Sequence, residues 1–323
     1  MNICVTGGAG YVGSALVPHL LSKGHTVTVL DLFWFGDHLS RHPKLRTISG
    51  DIRKINDLRA AFSGQDAVIH LACVSNDPCV DMNRELGRSI NFTCFRDILT
   101  IAKEKSVARF IYASSSSVYG VSDDPEVREE TKKSPLTDYS KFKLACEIEL
   151  QTYGMGGAWT ILRPATVCGY APRLRLDLVV NLLTIQALVN KKITVFGGEQ
   201  CRPNIHVKDM VRAYDLILDA EERRIDGQVF NVGFENLSLV EIAGLIKETI
   251  GDPGVEVVRE PTKDERSYRV NSDKIRELGF VALSTIRDAI LGLSFEYKHG
   301  SLKDPLKNPI YSNIRRMKGL GIT

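Results

Sequence analysis

The chain has 323 residues, 43% hydrophobic and 25% charged, and its 42 Lys and Arg against 39 Asp and Glu leave a formal charge of +3. That charge is too small and too dispersed to imply a nucleic-acid partner, and no uncharged apolar run approaches the ~20 residues of a membrane helix. The seven cysteines and seven histidines stand singly, so no metal site is expected, and reduced thiols in a cytoplasmic protein are.

The first predicted element is an apolar strand over Asn2–Thr6, and a strand this early implies that no signal or transit peptide precedes it. It breaks into Gly7-Gly8-Ala9-Gly10-Tyr11-Val12-Gly13 and reopens as an amphipathic helix from Ala15 to Leu21. Glycines admit positive φ and close backbone approach, and the free N–H groups of the new helix point at a diphosphate. The spacing fits both Gly-x-Gly-x-x-Gly from Gly8 and Gly-x-x-Gly-x-x-Gly from Gly7. A second strand, Thr26–Leu30, ends in Asp31, placed to bind the adenosine ribose hydroxyls of a dinucleotide. A glycine match alone is weak; its setting between two strands, with the acid after the second, gives it meaning.

Further strands are predicted at Leu45–Ser49, Ala67–Leu71, Phe110–Ala113 and Thr160–Leu162, with helices around Ile55–Phe62, Met82–Lys105 and Tyr139–Tyr153. Such alternation predicts an α/β fold, a doubly wound parallel sheet over residues 1–165 that binds its ligand at the carboxyl ends of the strands. Beyond about residue 165 the rhythm loosens into helices near Asp177–Asn190 and Ser238–Ile250 and short strands such as Ile193–Phe196. Residues 166–323 read as a smaller, interleaved C-terminal substrate lobe, because Val207–Ala220 and Val229–Val232 (the stretch from about 205 to 235) look like core elements of the first domain. The tail after Lys298 is basic and is expected to be solvated and partly mobile.

Two segments carry the chemistry. Ala113-Ser114-Ser115-Ser116-Ser117-Val118-Tyr119-Gly120 closes a strand with hydroxyls at its tip, and Tyr139-Ser140-Lys141-Phe142-Lys143 sets Tyr139 and Lys143 four apart on one helix face. A free tyrosine, with a pKa near 10, is a poor base at neutral pH, but a lysine cation and a positive nicotinamide ring beside it favour the phenolate. Tyr139 then removes a proton from a substrate hydroxyl as hydride leaves the same carbon, and Ser115 hydrogen-bonds that oxygen. Either segment alone is ordinary turn or helix sequence; their conjunction downstream of a dinucleotide fingerprint points to catalysis.

With these residues in place the chain resembles the extended short-chain dehydrogenase/reductase family, in particular nucleotide-sugar epimerases and dehydratases of the UDP-galactose 4-epimerase type. The resemblance spans about residues 1–280. It rests on Thr6 to Gly13, Gly50-Asp51-Ile52, His70-Leu71-Ala72, the Ser115 strand, Tyr139 to Lys143, Leu162-Arg163-Pro164, and Arg202-Pro203-Asn204-Ile205-His206-Val207 followed by Asp209. It implies a Rossmann-type sheet with NAD as cofactor, which Asp31 favours over NADP because a carboxylate repels a 2′-phosphate. NAD would then lie against Gly7, Gly10, Tyr11, Val12, Gly13 and Asp31, with Asp51 and Ile52 along the adenine. Leu71 and Ala72 fall along the pyrophosphate and ribose, Pro164 joins the cofactor site, and Tyr139 and Lys143 hold the nicotinamide ribose.

A nucleotide-diphosphate sugar needs arginines for its phosphates. The resemblance offers Arg202 and either Arg266 or Arg269, between which spacing does not choose; Ser75, Asn76, Tyr119 and Thr166 are candidates at the sugar. Dehydratases of the family carry an acidic pair after the catalytic hydroxyl residue, whereas this chain has Ser116 and Ser117, so 4,6-dehydration is not expected. Thr166 and Cys168 stand where asparagine and tyrosine are common, which leaves the sugar open. The expected reaction is oxidation at C4, most readily 4-epimerisation; a one-way C4-dehydrogenase or 4-ketoreductase and a non-catalytic dinucleotide sensor are the alternatives. A homodimer through the helices near Met82–Lys105 and Tyr139–Tyr153 is also implied.

Overall fold

The structure, a computed structural model, describes residues 1–122, 124–262 and 267–322. Strands β1 (Asn2–Thr6), β2 (Thr26–Asp31), β3 (Leu45–Ser49), β4 (Ala67–His70), β5 (Arg109–Ala113) and β6 (Ala158–Pro164) form one sheet. Three short strands follow, β7 (Thr166–Cys168), β8 (Lys192–Phe196) and β9 (Cys201–His206), and then β10 (Gln228–Val232) returns to the main sheet. Its order is β10-β6-β5-β4-β1-β2-β3, parallel throughout. The chain reverses direction across the sheet at β1 and β4, so the glycine-rich turn opens onto the crevice where such sheets bind ligands.

Side-chain alternation explains the two covered faces. Ile3, Val5, Ile69 and Ile111 point to one side, against α1 (Tyr11–Ser22) and, from the second half, the helix over Val207–Asp219. Cys4, Val68, Phe110 and Tyr112 point to the other, against α2 (Ile55–Phe62) and helices further along the chain. The Val207–Asp219 helix thus packs on this face, and β10 pairs with β6 at the edge of the main sheet.

The single helix expected over Met82–Lys105 is instead four pieces: α3 (Asp77–Met82), α4 (Arg84–Arg88), a π-type turn over Ser89–Thr93, and α5 (Phe95–Glu104). Asparagines break it. Asn83 caps α4 by accepting from the Leu86 amide, and Asn91 turns inward to bond both backbone groups of Val74, at 2.7 and 2.9 Å. Next comes α6 (Asp138–Tyr153), started by a Thr137 cap and carrying Tyr139 and Lys143 in its first turns.

The second half packs α7 (Val179–Asn190), α8 (Val207–Asp219), α9 (Glu222–Ile225) and α10 (Leu239–Ile250) with two small sheets, β11-β9-β7 and β12-β8, where β11 is Glu235–Ser238 and β12 is Glu256–Glu260. Helices α11 (Asp273–Glu277), α12 (Ile286–Lys298) and α13 (Asn313–Gly319) end the chain. The basic tail is not a loose end. Asn313 and Met317 are 3% and 2% exposed, and Met317 packs with Trp34 and Phe35 into the main core. Apolar residues spaced along a basic helix bury one face while the charges remain in water.

Candidate active site

A cavity of about 640 Å³ opens at the carboxyl ends of β1, β2, β4, β5 and β6 and is closed on its far side by the second half. Its floor is the turn after β1. Gly7 has φ +73°, and a Cβ there would lie 2.6 Å from the Ala72 nitrogen; one on Gly13 would lie 2.5 Å from the Gly8 carbonyl oxygen. Only glycine lets these backbones approach so closely. Asp31 ties the turn to β2: its carboxylate accepts from the Ala9 and Phe33 amides at 3.0 and 2.8 Å. Burial pushes the Asp31 carboxyl up, and those amides oppose the shift. Gly7, Gly10, Tyr11, Val12, Gly13, Asp31, Ile52, Leu71, Ala72 and Pro164 all line the cavity. A glycine cradle that a Cβ would fill, beside an acid at the end of β2, fits a dinucleotide.

At the other end Ser115, Tyr139 and Lys143 converge on the same space. The Ser117 amide and hydroxyl both donate to Ser115 Oγ, at 3.1 and 2.9 Å, which leaves the Ser115 proton to be donated elsewhere. Ser115 stands near enough to the Tyr139 phenol to lower its proton affinity. Lys143 is 3% exposed, donates to the Ala113 carbonyl at 2.6 Å, and places its ammonium 5.8 Å from the centre of the Tyr139 ring.

In the protein alone the phenol is less acidic than its lysine neighbour by itself would make it; the expectation of a phenolate also counts a positive nicotinamide ring. Burial pushes the Tyr139 hydroxyl well above its ordinary value, Cys73 and Asp77 add to the rise, and Arg175 and Ser115 oppose it. Desolvation outweighs a cation 5.8 Å from the ring centre that is already bonded to a carbonyl.

Three residues named from sequence stand outside the cavity wall. Tyr119 is fully buried; its hydroxyl donates to Asn231 Oδ1 at 2.7 Å and accepts from Arg163 at 2.8 Å, so it serves a buried network rather than a sugar. The Asp51 carboxylate is engaged by Arg53, whose nearest nitrogen is 2.6 Å away. Arg269 is exposed and donates to the Asn236 carbonyl, also away from the cavity. Arg266 lies outside the described residues. Ser75, Asn76, Thr166 and Arg202 line the cavity.

Sequence reasoning passed over Arg173, Arg175, Asp177 and Asn313, which build the wall facing the glycines. Arg175 spans Asp177 at 2.8 Å and Ser75 Oγ at 2.9 Å, while its Nη2 is buried with no partner. Asp177 also accepts from the Asn76 amide at 3.0 Å, with Asn76 held at φ 78°. The signal was the Arg-x-Arg-x-Asp spacing after the Gly169-Tyr170-Ala171-Pro172 turn: two charges in a mostly apolar stretch need a polar destination. Among the described residues no cluster suited to a metal occurs, no helix is long and apolar enough to cross a membrane, and all seven cysteines are free.

A parallel sheet with a glycine cradle at its switch point and a Ser-Tyr-Lys cluster beside it defines a dinucleotide-dependent oxidoreductase site. Residues 3–233 match the model of the NAD dependent epimerase/dehydratase family, and the chain belongs to that family. NAD is its cofactor, and its relatives are epimerases and dehydratases of nucleotide sugars. It is 32% identical over 273 residues to an uncharacterized UDP-glucose epimerase, YtcB, of Bacillus subtilis, covering 78% of this chain and 83% of that one. It is 28% identical to a dTDP-glucose 4,6-dehydratase of Streptomyces griseus, over 94% and 97% of the two chains. The structure of MoeE5 in complex with UDP-glucose and NAD superposes with a TM-score of 0.81 at 27% identity, covering 94% of this chain and all of that one.

Proposed function

We propose that the protein is a 4-epimerase of a nucleotide-diphosphate sugar, the diphosphate being held by Arg202 and the sugar set against Ser75, Asn76 and Thr166. The observation that carries this reading is the meeting of Ser115, Tyr139 and Lys143 in the cavity floored by the glycine turn. When bound, NAD supplies the acceptor for the C4 hydride. Tyr139 takes the O4 proton during oxidation and, protonated, returns it when the 4-keto sugar is reduced. Its raised proton affinity suits the second half, in which a neutral phenol is the acid, and Arg175 opposes that rise in the first. Ser115, its own oxygen satisfied by Ser117, donates to the reacting oxygen. Lys143, fixed by the Ala113 carbonyl, holds the ribose hydroxyls beside Tyr139.

Hydroxyls rather than carboxyls follow Ser115. Ser116 Oγ is 3.2 Å from the Tyr268 hydroxyl and Ser117 is spent on Ser115, which weighs against 4,6-elimination. A homodimer belongs to the proposal: Ile148 on α6 is 53% exposed beside the helices named above, whereas Ile90, Phe95 and Ile98 are buried in the core. The decisive experiment incubates the purified protein with UDP- and dTDP-sugars, with and without added NAD. A C4 epimer formed without net NADH is expected. Stoichiometric NADH or an accumulating keto sugar replaces epimerisation with a one-way dehydrogenase or ketoreductase.

A further inference from the structure

Two arginines of this protein are each 2% exposed, and they are satisfied in different ways. Arg163 makes a bidentate pair with the buried Glu147, with nitrogen–oxygen distances of 2.6 to 3.3 Å, and donates further to Tyr119 and Glu129. Arg173 has no carboxylate within ion-pairing distance among the described residues. Its Nη2 donates to the neutral Asn313 amide oxygen, its face lies 4.1 Å from the centre of the Phe35 ring, and its Nε is buried without a partner. The nearby carboxylates are committed elsewhere: Asp177 to Arg175, Asn76 and the Asn313 backbone, and Asp31 to the Ala9 and Phe33 amides. Burial, compounded by Arg175, pushes the Arg173 guanidinium down to about 9. A buried cation without an anion is costly, and a chain keeps one where a ligand brings the charge.

Position identifies that charge. The Arg173 amide donates to Ser14 Oγ at 3.1 Å, in the first turn of α1, directly after the glycine cradle. Its guanidinium lies over the Phe35 ring, in the loop after β2, and Arg173 lines the cavity together with Gly10, Tyr11, Val12 and Gly13. Arg173 therefore shares the cavity wall with the N-terminus of α1, where the helix amides favour a phosphate. Asn313 fixes its far end and at the same time donates to Ser75 Oγ at 3.0 Å. Asn313 belongs to the tail, 80 residues beyond the end of the family match at residue 233. That tail is anchored by Arg316 Nε on the Trp34 carbonyl at 2.7 Å and by the Leu176 amide on the Tyr311 carbonyl at 2.8 Å.

We propose that Arg173 binds the diphosphate of NAD and that Asn313 of α13 positions it, so that the C-terminal tail is a working part of the cofactor site. The inference rests on the reading that the dinucleotide lies along the Gly7–Gly13 turn.

The test is calorimetric binding of ADP, which carries the diphosphate without nicotinamide, to protein stripped of NAD, with UDP as the second probe. Wild type binds ADP; R173M loses about 10- to 100-fold in ADP affinity, as removal of a charged donor predicts. R173K recovers part of that loss, and N313A weakens ADP several-fold and lowers the NAD that copurifies. Since R173M removes an uncompensated charge, its melting temperature without ligand is expected not to fall. ADP affinity in folded R173M within about twofold of wild type overturns the proposal. So does a loss confined to UDP, which would hand the guanidinium to the substrate. If wild type binds no ADP at all, the glycine-turn reading fails first. Should R173M not fold, a crystal structure of wild type with NAD decides: Arg173 nitrogens beyond ~3.5 Å from every phosphate oxygen refute the assignment.

Discussion

The two walls of the cavity are built by different physics. On the sheet side, position comes from the backbone: main-chain atoms leave no room for a Cβ at Gly7 or Gly13, Ser115 sits just past the end of β5, and Lys143 hangs from the Ala113 carbonyl. On the facing side, position comes from a side-chain network in which Arg175, Asp177, Asn76, Ser75 and Asn313 hold one another, with Arg173 joined through Asn313. The first kind of wall is rigid because strands and helices are. The second is rigid only while every member is satisfied. Chemistry that must work to a fraction of an ångström belongs on the first, and recognition that varies among relatives belongs on the second.

The largest expected effect tests the first wall. Tyr139→Phe removes the phenol that shares the cavity with Ser115 and Lys143 and should lower kcat by about 10²- to 10⁴-fold while copurified NAD stays at the wild-type level. Epimerisation and NAD content measured on one preparation check both halves. Activity within tenfold of wild type would mean that another group moves the proton, and the division between the walls would fail at its most rigid point.

Next comes a change on the second wall that reads out on the first. Arg175 is the leading influence holding down the Tyr139 proton affinity, and it also ties Ser75 to Asp177. Arg175→Gln should cost about 1.5–3 kcal/mol of transition-state stabilisation, roughly 10- to 150-fold in kcat/KM. In the oxidation direction, where the ionised phenol is the active form, the rise of kcat with pH should move to higher pH. A loss of activity with an unmoved pH profile would mean that Arg175 acts only as scaffold.

What could be read from the sequence follows the same division. The glycine turn, Asp31, the Ser115 strand end and the Tyr139–Lys143 pair were legible because local spacing specifies them: strand, turn and i,i+4 geometry bring the partners together whatever the rest of the chain does. Arg173 and Asn313 meet across 140 residues, and Ser75 and Asn313 across 238, so no local pattern announces either contact. Tyr119 was misread for a related reason. It follows the catalytic strand, but the buried Arg163–Glu147 pair and Asn231 claim its hydroxyl first. The tail was misread because its charge is visible in composition, whereas the burial of Met317 against Trp34 is not.

Two buried histidines, one in each region, give the third prediction. His70 ends β4, bonded to Thr6 at 2.7 Å, and burial pushes its ring down to about 3; His206 accepts from the Lys208 amide at 3.1 Å and is pushed down to about 4. Both are neutral in the fold. Unfolded, each takes up a proton near pH 6.5, so stability is complete above that value and falls as pH drops toward 3 or 4, by at most about 1.4 kcal/mol per unit for each ring. Melting temperature against pH should decline between about pH 6.5 and 4, and H70Q and H206Q should each flatten part of the slope. If only H70Q does so, the second half is wetter than its burial implies, and the contrast between the regions widens.

The smallest expected effect is the sharpest check on where recognition stops. Arg269 is one of the two arginines, with Arg266, between which the family resemblance leaves a phosphate contact open, yet its side chain is exposed and donates to the Asn236 carbonyl at 3.3 Å. An exposed arginine in that position contributes within about 0.5 kcal/mol to stability, and with no atom in the cavity wall it has no ligand to lose. Arg269→Ala should therefore leave KM for the nucleotide sugar within about twofold, whereas Arg202→Ala, in the wall, should raise it about tenfold or more. A tenfold KM increase for Arg269→Ala would require the 267–271 segment to swing inward when substrate binds. The facing wall would then be assembled by the ligand rather than waiting for it.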